Sequence, residues 1–432
     1  MPAPDLGLGV DLGSSGLRLA LASADASAGQ GPLWQTASPY PGAFEDPCSW
    51  WQGLLGLCQQ IPADLRPRVG AVAVDGTSGT LLLCRPDGSL LAGTLALALP
   101  YHQACLEHSD AARDLACADP ARNSDAAASA SGSLARALRL LQQAPTEPLL
   151  LRHQADWLMG RLLGDWRFGE ASNNLRLGWL QGDCPGWAGA IGRQRWSNAL
   201  PQVINSGCVA GRLHPGAAAA LGLPAAALVV AGCTDASAAV LAADAGPADG
   251  ITVLGTTLVL KQWSQQPIAA AGVSSQQLGG RWLVGGASNA GCGVLRQFFD
   301  DDQLQALSRQ IDPNRPSGLA LRPLPGVGER FPIDDPTLEP LLEPRPVSDA
   351  RYLQALLEGL AAIEAAGWQR LRQLGAPAVQ RVISLGGGAS NPQWRAIRQR
   401  QLGIPVLNRP QLSAALGMAR LAAHALPTAP HG

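Results

Sequence analysis

An apolar run from Leu6 to Val10 ends in a carboxylate at Asp11. Leu12-Gly13-Ser14-Ser15-Gly16 then has the composition of a turn, and Leu17-Arg18-Leu19-Ala20-Leu21 alternates with period two. Strand, turn and strand in that order predict a hairpin. The pattern returns near residue 250, where Ile251-Thr252-Val253-Leu254 and Leu258-Val259-Leu260-Lys261 flank Gly255-Thr256-Thr257. Two hairpins with hydroxyl-bearing glycine turns, one in each half, predict a duplicated architecture. Between them Ala71-Val72-Ala73-Val74-Asp75 reads as a strand followed by the polar turn 76–80. Leu81-Leu82-Leu83 and Leu90-Leu91 flank Arg85-Pro86-Asp87-Gly88 as a further hairpin.

Helical spacing appears over Ser133 to Gln143, His153 to Leu163, Asp349 to Leu374 and Ser413 to Ala425. Val379 to Leu385 predicts a strand, Gly386-Gly387-Gly388 a tight loop, and Asn391-Pro392 a helix start with Asn as N-cap and Pro at the first turn. Strands alternating with helices, with a hairpin heading each half, make the fold class α/β.

Length and composition narrow the partners. The 432 residues suffice for two or three domains. A formal net charge of −1, with 15% charged residues, offers no electrostatic attraction to nucleic acid or an anionic membrane. No apolar run reaches the ~18 residues of a transmembrane helix. The start, Met1-Pro2-Ala3-Pro4-Asp5, lacks the basic region of a signal peptide, so a cytoplasmic location is expected. Nine scattered cysteines without a Cys-x-x-Cys pair read as reduced thiols.

Lys261 is the only lysine and follows strand residues, which excludes a Walker phosphate loop. No Gly-x-Gly-x-x-Gly opens a helix after a strand, and no Gly-x-Ser-x-Gly elbow occurs. Glycine and hydroxyl turns close to acids remain. Successive N–H groups of the 13–16 turn, beside Asp11, could hold phosphate oxygens, although ordinary hairpin turns have the same composition. Asp235, after Leu228 to Thr234, is either an N-cap or a ligand-binding carboxylate at a strand's carboxyl end, and the two are compatible. Gly386-Gly387-Gly388 costs about 0.5–1 kcal/mol per glycine relative to alanine, which points to a flat ligand or a closely passing backbone; a plain strand-to-helix connection is the alternative. His102-x-x-Cys105-x-x-His108 has ligand types without a fourth partner, and Asp300-Asp301-Asp302 reads as a solvated helix N-terminus.

Taken together, Asp11-x-Gly13-Ser14-Ser15, Asp75-Gly76-Thr77-Ser78, Gly232-x-x-Asp235, Gly255-Thr256-Thr257 and Ser384-Leu385-Gly386-Gly387-Gly388-Ala389-x-Asn391 resemble, in order, the FGGY carbohydrate kinases. His153 to Leu158 and Gly328 to Pro332 look most like the compact cyanobacterial and plant branch, similar to D-ribulose kinase. The resemblance implies two ribonuclease-H-like domains of the actin, Hsp70 and sugar kinase type flanking an ATP cleft. They would be a sugar-binding domain (1–242 with 413–432) and a nucleotide-binding domain (243–412). It further implies ATP and Mg2+, with closure of the domains excluding water. Asp235 would be the general base, and Asp11, Ser78 and Asp235 would meet sugar hydroxyls. Gly13, Ser14 and Ser15, with Gly255, Thr256 and Thr257, would hold phosphates; Gly291, Cys292, Gly386, Gly387, Ala389 and Asn391 would border adenosine. Asp11 would reach the metal of MgATP through water.

The implied acceptor is a small ketose, D-ribulose giving D-ribulose 5-phosphate, with D-xylulose or a polyol as alternative. A non-catalytic ATP-binding protein on the same fold is the reading from another class. No nucleic-acid or membrane partner is expected, and the implied state is a monomer or small homo-oligomer. Two departures stand out. Tyr101-His102-Gln103-Ala104 replaces a stretch that carries an Asp in many relatives, and Gly291-Cys292 replaces a Gly-Gly pair.

Overall fold

The computed structural model describes residues 4–24, 30–129, 132–410 and 412–427. The chain divides into two compact units. Unit 1 comprises the chain up to Ala242, Gln277–Gly280 and the segment from Ser413; unit 2 comprises Ala243–Gln276 and Arg281–Leu412.

The predicted hairpin in unit 1 forms from β1 (Leu6–Gly13) and β2 (Gly16–Ser23), and only Ser14 and Ser15 lie between the paired glycines 13 and 16. β3 (Trp34–Ser38) continues the antiparallel meander from β2. β4 (Val69–Gly76) lies parallel to β1 on the other side. Three two-stranded pieces follow: β5 (Leu81–Cys84) with β6 (Leu150–His153), β7 (Phe168–Glu170) with β10 (Gln202–Ile204), and β8 (Trp179–Leu180) with β9 (Gly186–Trp187). β11 (Val209–Arg212) and β12 (Leu228–Thr234) complete the main sheet, whose order is β11-β12-β4-β1-β2-β3.

The hairpin expected around Arg85-Pro86-Asp87-Gly88 is reduced to one bridge, Cys84 to Leu90. The turn forms as expected, with Gly88 N donating to Arg85 O. β5, however, pairs along its length with the distant β6, because Leu81 to Cys84 are fully buried and need a partner there.

The main sheet of unit 1 has helices on its faces, as a fully buried sheet requires. The helix Ala414–His424 packs on β1 so closely that a Cβ at Gly9 would lie 1.9 Å from Ala415 O. Both Gly7 and Gly9 therefore lie inside a strand for reasons of packing. The core runs from Leu8, Val10 and Leu19 through Val72 and Val74 to Trp50, Leu158 and Val229.

Unit 2 repeats the plan. β13 (Asp249–Leu254) and β14 (Leu258–Ser264) make the second hairpin, β15 (Val273–Leu278) and β16 (Arg281–Ala287) extend it, and β17 (Arg381–Leu385) and β18 (Val406–Asn408) lie parallel on the other side of β13. Its order is β15-β16-β14-β13-β17-β18. The predicted long helix spans Asp349–Gln373, with Ser348 Oγ accepting from Arg351 N at its start. Its buried Glu364 pairs with the buried Arg398 of the helix Pro392–Leu402 at 2.5 Å. Thr252 of β13 and Ser384 of β17 join this pair through 2.6 Å hydrogen bonds, fixing both helices to both strands.

Candidate functional site: acidic strand ends and a glycine-walled cavity

In unit 1 the parallel strands β1, β4 and β12 carry three aspartates at or just beyond their carboxyl ends. Asp11 pairs in register with Asp75, which in turn pairs with Cys233, two residues before Asp235. Strand order and register alone thus bring Asp11, Asp75 and Asp235 together at the end where open α/β sheets bind ligands.

Each acid has a different environment. Asp11 is buried, and its Oδ2 accepts from Arg18 Nη1 at 3.0 Å across the hairpin. Asp75 is wholly buried, and neither of its oxygens meets a donor among the described residues. Burial first, then the charges of Asp11 and Asp235, push its pKa well above the carboxylate range. Asp235 is half-buried, and its pKa is raised to about 6, mainly by burial and then by Asp11. The Ala236 N–H, Arg176 and the Ser78 N–H act in the opposite direction.

Asp235 is the first residue of its helix, Asp235–Ala242, and accepts from its neighbour Ala236 N at 2.7 Å. The N-cap role belongs instead to Thr234, whose Oγ1 accepts from Ser237 N at 3.4 Å. The shift by one residue frees the Asp235 carboxylate from the N-cap role.

The turn beside these acids is held from behind. Tyr40 Oη donates to Gly13 O at 2.8 Å, and Gln154 Nε2 donates to Tyr40 Oη at 3.4 Å. Gln154 Oε1 accepts from both Thr77 N (3.1 Å) and Thr77 Oγ1 (2.8 Å), so one side chain braces the turns after β1 and β4. The side chains of Ser14 and Ser15 are exposed at the tip. Arg18, Asp75, Tyr40, Gln154 and Arg176 were not singled out as site residues from sequence. Arg18 left a signal as a cation in an apolar strand, while Asp75 and Gln154 lay within stretches that carried the family resemblance.

Unit 2 presents a cavity of about 720 Å³, within the size range of a small-molecule site, whose wall sets leucines and Trp394 against an equal share of polar and charged side chains, among them Arg296, Asp301, Asp302 and Arg309. Of the residues expected near adenosine, Cys292, Gly387 and Asn391 line it, while Gly386, Ala389 and Gly291 do not. Gly386 sits at φ 83°, where a Cβ would meet Leu254 O at 2.8 Å, so this glycine serves the close approach of β17's end to β13. Ala389 is buried. Asn391 is the expected N-cap, with Oδ1 accepting from Trp394 N at 3.0 Å and Nδ2 donating to Ser308 Oγ at 2.8 Å. Its amide thus shapes the cavity wall.

Gly255, Thr256 and Thr257 lie outside the cavity lining but bind the segment that supplies it: Cys292 N donates to Gly255 O at 2.9 Å and Gly293 N to Thr256 O at 3.1 Å. Asp300 caps the helix Asp301–Ser308 with a capping box, while Asp301 and Asp302, expected to be merely solvated, line the cavity. His102 is exposed and Cys105 buried, which separates them as ligands. All nine cysteines are free. Among the described residues no helix is long and apolar enough to cross a membrane.

Residues 250–426 match the FGGY family of carbohydrate kinases, C-terminal domain. Nearly the whole chain shares its fold with solved sugar kinases. A xyloylose kinase from Brucella ovis superposes with a TM-score of 0.77 at 19% identity, covering 98% of this chain and 91% of that one. The xylulose kinase from Bifidobacterium adolescentis gives 0.76 at 20%, covering 98% and 93%. Glycerol kinase from Plasmodium falciparum, solved with ADP, gives 0.74 at 13%, covering 98% and 90%. These likenesses establish a mixed α/β fold shared with solved sugar kinases. The family match thus covers the second half of the chain, as the C-terminal domain of FGGY carbohydrate kinases, and the likeness of fold to sugar kinases extends over the first half as well.

Proposed function

We propose that the protein transfers the γ-phosphoryl group of ATP to a hydroxyl of a small ketose, with Asp235 as general base. The observation that carries this reading is the convergence of Asp11, Asp75 and Asp235 on one end of the unit 1 sheet, with only Asp235 both accessible and poised near neutrality. A pKa of about 6 leaves Asp235 mostly ionised at pH 7 yet far less basic than an alkoxide. It therefore orients the hydroxyl and accepts its proton late, while a loose transition state forms at phosphorus. The serine turn at 13–15, stiffened by Tyr40, offers hydroxyls and amides to phosphate oxygens. Arg18 holds Asp11 and adds positive charge beside that turn. The unit 2 cavity is assigned to the adenosine, with Cys292, Gly387 and Asn391 at its wall.

Among the described residues no group of three or more His, Cys, Asp or Glu side chains could hold a metal. That fits Mg2+, which keeps several waters and binds through one or two carboxylates plus phosphates. Asp11, with one oxygen bound to Arg18 and the other beside the turn, suits water-mediated contact. When bound, the ion would supply charge neutralisation on the phosphates.

D-Ribulose is the acceptor we favour, on the resemblance of His153 to Leu158 and Gly328 to Pro332. D-Xylulose is the second reading, favoured by the likeness to structures named as xylulose kinases. The two pentuloses differ at one stereocentre. ADP release with MgATP and a panel of pentuloses, polyols and hexoses tests the proposal; no sugar-dependent release would sink it. For a base of pKa about 6, kcat/KM falls as pH drops through 6, approaching tenfold per unit below it, and levels off above. A profile flat down to pH 5 removes Asp235 from the role.

A further inference from the structure

The loop Pro100-Tyr101-His102-Gln103 carries the sequence departure noted above, and it is held by its backbone from two sides. Tyr101 N donates to Thr80 Oγ1 at 3.1 Å. That hydroxyl lies 2.6 Å from Thr77 Oγ1, which is bound to Gln154. From the opposite side comes Arg136, on the helix Ser133–Gln143 and wholly buried. Its Nε donates to Pro100 O (3.1 Å) and Gln103 O (3.0 Å), and its Nη2 donates to Tyr101 O.

One planar guanidinium thus gathers three consecutive-turn carbonyls, a task for a fork of donors that a single ammonium cannot reproduce. Burial lowers its pKa only to about 10, so the cation persists at neutral pH. Gly79, at φ 104°, makes room for this: a Cβ there would lie 3.1 Å from Arg136 Nη1 and 3.8 Å from Tyr101 Cβ. The residue before it, Ser78, gives its N–H to Asp235. The clamped loop is therefore bound to Thr80, two residues from the group that holds the base.

We propose that Arg136 is a positioning residue for acceptor choice: it fixes the 100–103 loop beside the Ser78 turn and so sets the shape of the sugar site without touching sugar or nucleotide. The proposal rests on the reading of unit 1 as the acceptor side. It gives Gln103 and Tyr101 a fixed backbone from which to select a sugar, in place of a carboxylate in the loop.

The test uses the full chain and the variants Arg136→Lys and Thr80→Val, with acceptor KM, ATP KM and the ribulose-to-xylulose preference as kinetic readouts. Amide exchange of residues 99–104 followed by mass spectrometry is the structural readout. Arg136→Lys keeps the charge but loses the fork, so the acceptor KM should rise about tenfold or more while the ATP KM stays within about twofold. Exchange should speed up in the loop and not in unit 2, and Thr80→Val should show a smaller change of the same kind. An unchanged acceptor KM in Arg136→Lys overturns the proposal. So does an equal rise in both KM values with faster exchange throughout unit 1, which would mark a purely structural role. A wild-type protein without sugar-dependent ADP release overturns the kinase reading and this one together, whereas an active wild type with an indifferent variant overturns this one alone.

Discussion

The two sheets invite comparison strand by strand. In unit 1 the order β3-β2-β1-β4-β12 has an antiparallel meander on one side and parallel strands on the other, and β16-β14-β13-β17-β18 in unit 2 has the same sense. The central registers differ in what they carry. Asp11 faces Asp75 between β1 and β4, whereas Val253 faces Leu385 between β13 and β17. Beyond the strand ends unit 1 adds a third acid, Asp235, and unit 2 adds glycines that let loops close around a cavity. One frame therefore supports proton chemistry in one copy and shape recognition in the other. The lesson is that the frame supplies positions and the strand-end residue types decide what those positions do.

The sharpest way to break this comparison is at Asp235. Asp235→Ala should lower sugar-dependent ADP release by roughly 10²–10⁴-fold, the range for loss of a general base. Nucleotide binding measured by calorimetry should be unaffected. A variant retaining near-normal turnover would show that the acids of unit 1 are structural.

The matching probe in unit 2 is Gly388→Val. A Cβ at Gly388 would lie 2.6 Å from Trp394 and 2.9 Å from Cys292 Sγ, so the added side chain intrudes on the cavity wall. We expect ATP affinity to weaken by about tenfold, ~1.4 kcal/mol, with acceptor KM little changed. Equal weakening of both would blur the division between the units.

The smallest effect is expected at Asp75→Asn. Because burial and two neighbouring acids favour the protonated form of the native group, the amide is its nearest neutral mimic. The sign follows from the raised pKa: the unfolded chain sheds this proton at the ordinary carboxylate value while the folded protein still holds it, so the native acid loses stability as pH climbs from that value towards its folded pKa, and the amide has no such cost. The melting temperature of the variant relative to wild type should be lowest near pH 4 and rise with pH before levelling off, read by thermal unfolding across pH. A large loss at neutral pH would mean that Asp75 is ionised after all.

Much of this was legible in the chain, because local signals governed it. The Gly-Ser and Gly-Thr turns announced both hairpins, and Asn391-Pro392 announced a helix start to the residue. What escaped was set by partners distant in sequence. β5 left its neighbouring run for β6, some seventy residues on, since buried strand edges demand a full ladder. Asp235 looked like an N-cap until Thr234 took that place. Asp75 stood in a recognised motif, yet its raised pKa depends on burial between two other acids, which no spacing reveals. Asn391 was expected to border the nucleotide, and it does line the cavity, but its amide is engaged in capping and in the bond to Ser308.

The contact between β1 and the helix Ala414–His424 has a consequence for biosynthesis. β1 leaves the ribosome long before its closest neighbour, with most of the other described residues translated in between. Unit 2, contributed by intervening sequence, can complete its own core while the first unit still waits with an apolar strand uncovered. Chaperone demand during synthesis should therefore come from the amino-terminal half, and lesions at Gly7 or Gly9 should show themselves as poor yield of nascent protein rather than as altered catalysis.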